Sequence, residues 1–156
     1  MKREYPERPL VGVGAVIVEG DRVVLVRRAA EPMAGQWSIP GGLLELGETL
    51  RAGAAREALE ETGLQVEPGE VLEVLDRIVP DADGKLRFHY VLIDFLCRRI
   101  AGELRAGGDA AEARWVRESE LADLGVAEAA VQVVCKAMQQ ASAVSITRSP
   151  DLPITR

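Results

Sequence analysis

The sequence predicts an α+β domain, a β-sheet covered by helices, and three observations lead there. Leu10–Val18, Val23–Arg28, Val66–Val79 and Lys85–Cys97 are rich in β-branched and apolar residues and are bounded by turn residues, as strands are. The segments 50–62 and 127–140 instead carry small and apolar residues at helical spacing. The chain, 156 residues long, suits one core rather than two. The expected domain is residues 1–140, with 141–156 a flexible tail, since Pro150 and Pro153 stand there and no periodicity continues.

The first strand alternates Val11, Val13, Ala15 and Ile17 with Gly12, Gly14, Val16 and Val18. The two glycines leave room for either a ligand or a close-packed neighbour. Glu19–Arg22 turns the chain into the second strand as a hairpin, and that strand ends in Arg27 and Arg28, whose guanidinium groups suit phosphate oxygens or plain surface charge. An irregular loop, Ala29–Gly35, leads to Trp37 as a core anchor. Beyond the first helix, Pro68-Gly69 marks a turn, and Asp81–Gly84 is a hairpin turn. Val91-Leu92-Ile93, apolar on both faces, implies a central strand. His89, the single histidine, reads as a strand residue satisfied by a neighbour or as a ligand contact. A mobile acidic loop precedes a short strand through Trp115 and Val116, a turn of helix starts at Glu118, and Ala127–Gln140 covers the sheet through Val131, Val134, Cys135 and Met138.

A formal net charge of −6 argues against a protein that tracks along nucleic-acid backbones, which requires a concentrated basic surface. Small anionic ligands stay open, because a bound metal and a few arginines reverse the potential locally. Cys97 and Cys135 fall in no metal-binding spacing and are expected as buried free thiols in a reducing cytoplasm. No signal-peptide core and no membrane-length apolar run is expected.

The chemistry concentrates in one helix. Thr49 is its expected N-cap and Gly63 its left-handed stop, giving a helix over 50–62. At 3.6 residues per turn, Gly53, Glu57, Glu60 and Glu61 share an arc of roughly 100°, while Leu50, Ala54, Ala58 and Leu59 are expected to face the core. Glu57 and Glu61, four apart, repel one another. A hard divalent cation relieves that conflict, and Mg²⁺ held by carboxylates commonly serves phosphate chemistry. A solvated acidic face is the competing explanation. Pro40-Gly41-Gly42 lets the backbone approach an ion, and Glu48 and Arg56 are expected to brace this loop against the helix.

These residues together resemble the Nudix box: Gly42, five residues, Glu48, seven residues, Arg56-Glu57-Ala58, one residue, Glu60-Glu61, one residue, Gly63-Leu64. The run Gly35–Gly42 is similar to the approach into that box. The resemblance implies a Nudix fold, a mixed β-sheet sandwiched between α-helices. It implies hydrolysis of the pyrophosphate bond of a nucleoside diphosphate linked to another group, with Mg²⁺, or Mn²⁺ in its place. The implied metal ligands are the Gly41 carbonyl, Glu57, Glu60, Glu61 and a loop acid. By spacing from Trp115 that acid is Asp109, with Glu112 the alternative. Arg56, Glu57, Glu60 and Asp109 form the implied catalytic set, and Arg28 and Gly42 the substrate contacts. The frame from Tyr5 to Pro9, the second strand, His89–Phe95 and Pro80, sixteen residues beyond Leu64, are similar to ADP-ribose pyrophosphatase-like members. Pyrophosphate removal from nucleoside triphosphates, including oxidised ones, is the alternative reaction, and nucleotide sensing without turnover the alternative of another class. The expected partner is a small nucleotide, without long nucleic acid or membrane. A homodimer stays open, as the family often forms one.

Overall fold

A computed structural model of the chain describes residues 2–30 and 33–147, with side chains described as far as residue 143. Its elements in order are β1 (Leu10–Glu19), β2 (Arg22–Arg28), β3 (Trp37–Ser38), β4 (Gly41–Leu43), α1 (Leu50–Thr62), β5 (Gln65–Pro80), β6 (Leu86–Ala101), β7 (Ala110–Arg117), a 3-10 turn (Glu118–Glu120) and α2 (Glu128–Thr147).

The strands form a mixed sheet in the order β3-β2-β1-β6-β5, with β4 also paired to β1 and β7 to β2. β1 organises it. Leu10–Ile17 run parallel to Tyr90–Cys97 of β6, Gly12–Gly14 pair with β4, and Val18–Glu19 turn outward to pair with β2. β6 lies between β1 and β5, as its two apolar faces require.

Period-two alternation divides the core into two layers. Val13, Ala15 and Ile17 of β1, with Ile93, Phe95 and Cys97 of β6, pack on Ala54 and Ala58 of α1. Val16, facing the other way, packs with Leu25, Trp37, Leu72 and Val116 and with Val133, Val134 and Ala137 of α2. The sheet is thus sandwiched between α1 and α2, and Trp37 is the expected core anchor, 8% exposed.

Three expectations need correction. Pro68-Gly69 does not turn the chain: β5 continues through it, with irregular pairing between Pro68 and Val71. Proline, which has no N–H to give, is tolerated because β5 is the outer strand, and among the described residues no further strand needs a donor from it. Helix α2 runs past Gln140 to Thr147, since Ala141–Ile146 contains no breaker; residues 148–156 of the expected tail lie outside the described residues. The loop before β7, expected to be mobile, is fastened to the end of α1, as the next subsection details. Of the two readings of Gly12 and Gly14, the close-packed neighbour is the one present: a Cβ there would lie 2.6 Å from Leu92 and 2.2 Å from Asp94. Of the thiols, Cys97 is buried and Cys135 half-buried, and both are free.

Candidate active site

Helix α1 begins and ends where its capping residues dictate. Thr49 Oγ1 accepts from the Ala52 N–H at 3.1 Å, and Gly63 adopts the left-handed conformation, φ 72°, donating to the Leu59 carbonyl. Its buried face differs from the expected one. Ala54 and Ala58 are fully buried, but Leu50 and Leu59 are exposed, and Glu61 is turned inward at 8% exposure. Small side chains let α1 approach the sheet closely, so the acidic and buried faces overlap.

Arg56 joins this helix to the loop before it. Its Nε and Nη2 donate to the two carboxylate oxygens of Glu48 at 2.7 and 2.9 Å, and Nη2 also donates to the Leu43 carbonyl at 3.1 Å. Nη1 donates to Glu57 at 2.9 Å and to Glu60 at 3.3 Å. The brace expected between Arg56 and Glu48 is present, and it is bidentate; it depresses the Glu48 carboxyl and raises the guanidinium further. The Glu57 carboxylate lies against Gly42, where a Cβ would come within 2.4 Å of it. Glycine at this position gives Glu57 its place.

On the other side of the loop, the Gly41 N–H donates to Glu61 Oε2 at 3.1 Å. The chain after β6 returns to the end of α1: Arg105 N–H donates to the Thr62 carbonyl at 2.8 Å and Gly107 N–H to the Glu61 carbonyl at 3.2 Å. That fastening brings Asp109 to the carboxylates of α1. The result is a cavity of about 420 Å³ walled by Glu57, Glu60, Glu61 and Asp109 together with Glu45 and Arg56.

The carboxylates feel one another. Burial, opposed by the Gly41 hydrogen bond and reinforced by Glu57 and Asp109, pushes the Glu61 carboxyl up to about 7. Burial raises Glu57 too, offset by Arg56 and reinforced by Glu60 and Asp109. Such a set suits a hard divalent cation, which removes the like-charge conflict. Among the described residues, no three acidic, histidine or cysteine side chains already converge as ligands. Glu57 and Glu60 each give one carboxylate oxygen to Arg56, which leaves the second oxygen of each for an ion. Glu60 is the outlying member, its side chain 53% exposed.

The remaining candidates divide. Glu112 pairs with Arg27 at 3.3 Å and is not on the cavity wall, so Asp109 is the loop acid that the fold brings to α1. Arg28 is near enough for its charge to lower Glu61, yet it does not line the cavity; neither do Gly42 and His89. Arg3 and Glu45, which do line it, were missed from the sequence. Glu45 stands at a variable position of the motif, and Arg3 in a segment without periodicity.

A family model described as the NUDIX domain matches residues 8–136. The ADP-ribose pyrophosphatase of Methanocaldococcus jannaschii is 38% identical over 107 residues, 69% of this chain and 61% of that protein. The human 8-oxo-dGDP phosphatase NUDT18 is 31% identical over 115 residues, 71% of this chain but 33% of that protein. The chain therefore spans about three fifths of the first relative and a third of the second. A crystal structure of a NUDIX hydrolase from Nitrosomonas europaea superposes with a TM-score of 0.70 at 27% identity, covering 88% of this chain and 74% of that one.

Proposed function

The chain belongs to the Nudix family, and from that premise we propose that it is a Mg²⁺-dependent hydrolase of nucleoside diphosphates linked to a second group, with ADP-ribose-like compounds as substrates. Nudix hydrolases in general use a divalent metal. The observation that carries the proposal is the gathering of Glu57, Glu60, Glu61 and Asp109 around one cavity, under a loop pinned by Arg56. Named relatives supply the substrate class: the M. jannaschii protein is an ADP-ribose pyrophosphatase.

In this scheme Glu57, Glu60 and Glu61, with the Gly41 carbonyl and Asp109, would hold the ion. Magnesium, when bound, supplies charge neutralisation for the diphosphate and acidifies the attacking water. The chain's own residues supply placement, which is most of what phosphoryl transfer asks of a protein. The Gly41 N–H fixes one oxygen of Glu61, Arg56 fixes Glu57 and the loop through Glu48, and Asp109 offers a carboxylate to accept the proton of water. Water adds to one phosphorus, the bond to the bridging oxygen breaks, and two phosphomonoesters leave. Arg56, committed to carboxylates, is a positioning residue. Arg28, close to Glu61, would meet the outer phosphate oxygens.

A second reading, removal of pyrophosphate from nucleoside triphosphates such as oxidised guanine nucleotides, is favoured by the likeness to a Mycobacterium tuberculosis protein named as an 8-oxo-dGTP diphosphatase, 38% identical over 113 residues. Incubating the protein with ADP-ribose, NADH, dGTP and 8-oxo-dGTP in Mg²⁺, followed by product identification, separates the two. AMP and ribose phosphate from ADP-ribose are the expected products. Free pyrophosphate from the triphosphates, with ADP-ribose untouched, would replace the first reading by the second. Binding without turnover of any of the four would remove both.

A further inference from the structure

Among the described residues, the cavity wall holds five acids, Glu45, Glu57, Glu60, Glu61 and Asp109, but two cations, Arg56 and Arg3. Arg56 is committed to Glu48, Glu57 and Glu60. Arg3 is exposed, and no hydrogen bond or ion pair joins it to another described residue. An anionic substrate entering this cavity meets repulsion from the acids. The metal proposed above offsets that at α1; beyond it, Arg3 is the cation on the wall with its donors still to be satisfied.

The backbone that carries Arg3 is held in place. Two residues on, Tyr5 has φ 49°, a left-handed conformation that strains a non-glycine residue and persists where surroundings enforce it. Here they do. The Tyr5 N–H donates to the Arg87 carbonyl at 2.8 Å, and its hydroxyl donates to Asp81 at 2.9 Å. Lys85 Nζ sits 4.8 Å from the centre of its ring, and Glu4 pairs with Arg87 at 3.5 Å. Asp81 also accepts from the N–H groups of Asp83 and Lys85. The segment before β1 is thereby strapped to the β5–β6 turn, with Arg3 at the cavity.

We propose that Arg3 is a substrate-binding residue, donating to a phosphate oxygen of the diphosphate, and that the Tyr5–Asp81 tether positions it. The identity of the ligand rests on the function proposed above; the presence of an anion site at Arg3 does not. The planar guanidinium can donate to two oxygens at once, which an ammonium cannot match. Because Arg3 is exposed and screened, its contribution is to ground-state and transition-state binding alike, read in KM rather than kcat.

The test compares the parent chain with Arg3→Ala, Arg3→Lys, Tyr5→Phe and the Arg3→Ala/Tyr5→Phe double variant. Two readouts are taken: KM and kcat for ADP-ribose in Mg²⁺ at low and high salt, and calorimetric binding of α,β-methylene-ADP, whose P–C–P link resists hydrolysis. Arg3→Ala should raise KM and weaken analogue binding about three- to tenfold at low salt with kcat unchanged. Arg3→Lys should fall between it and the parent. Tyr5→Phe should give a smaller loss of the same kind, absent from the double variant, because the tether acts only through Arg3. Parental KM and analogue affinity in Arg3→Ala would overturn the inference, and additive losses in the double variant would overturn the tether. If the parent turns over no substrate, the proposed reaction fails separately. The calorimetry then decides: weakened binding in Arg3→Ala sustains the site, while equal binding, or none to the parent, removes it.

Discussion

Replacing Asp94 by Asn should stabilise the protein at neutral pH, and the gain should vanish in acid. Asp94 stands on β6 opposite Gly14, 6% exposed. Burial, and after it the charge of Glu73, pushes its carboxyl from 3.8 up to about 6. An acid with a raised native pKa binds more protons folded than unfolded between those two values. Its favourable contribution is complete below the lower one and is lost as pH rises through the upper one. The span from 3.8 to about 6, at about 1.4 kcal/mol for each pH unit, is worth about 3 kcal/mol. Asparagine keeps the shape without the charge. Glu57 and Glu61 are raised as well, so the parent's pH profile mixes several groups, and only the difference between variant and parent at each pH isolates Asp94. With urea slopes of about 1–3 kcal/mol per molar, the variant's midpoint should exceed the parent's by about 1–3 M near neutrality and converge with it near pH 4. A difference of zero, or one that does not change with pH, would show that Asp94 is not a desolvated carboxylate and that the contact over Gly14 is wrong.

Glu61→Gln should lower turnover with Mg²⁺ by roughly 100-fold or more, since it removes one charge from the proposed ion site while keeping the shape; near-parental activity would refute the assignment. Arg56→Lys cannot reproduce the paired donation to Glu48 and should cost about 10–100-fold in kcat/KM, with a smaller effect on urea stability. Equal losses in both measurements would mean that Arg56 acts through the fold alone. Thr49→Ala deletes the cap on the Ala52 N–H and should cost about 1 kcal/mol in urea unfolding, with Thr49→Ser restoring it.

The parts of this molecule that can be read from sequence are those decided within a few residues. Both ends of α1 fall where expected because a hydroxyl at Thr49 and positive φ at Gly63 are local requirements. The face of the same helix could not be read that way. Leu50 and Leu59 were expected inward with Ala54 and Ala58, but nine residues at 3.6 per turn set the two leucines on opposite sides of the helix, so one buried face cannot take both, and the small Ala54 and Ala58 fill it instead. Pro68 was misread for a related reason: whether proline breaks a strand depends on whether that strand has an outer neighbour, a property of the assembled sheet.

The candidate site was legible where it contradicts ordinary helix chemistry. Glu57 and Glu61, four apart, are a conflict that a stable helix would avoid without compensation, and in the fold both turn toward one cavity with raised carboxyl pKa values. Asp109, singled out by its distance from Trp115, stands on the cavity wall because backbone hydrogen bonds fasten its loop to the end of α1 and to Ala29, which no side-chain pattern encodes. Arg3 left no trace at all, because a lone arginine before the first strand gains meaning only from the tether two residues later. Residues that a fold carries to a site from a distant segment are therefore invisible to local pattern, however complete the motif at the centre.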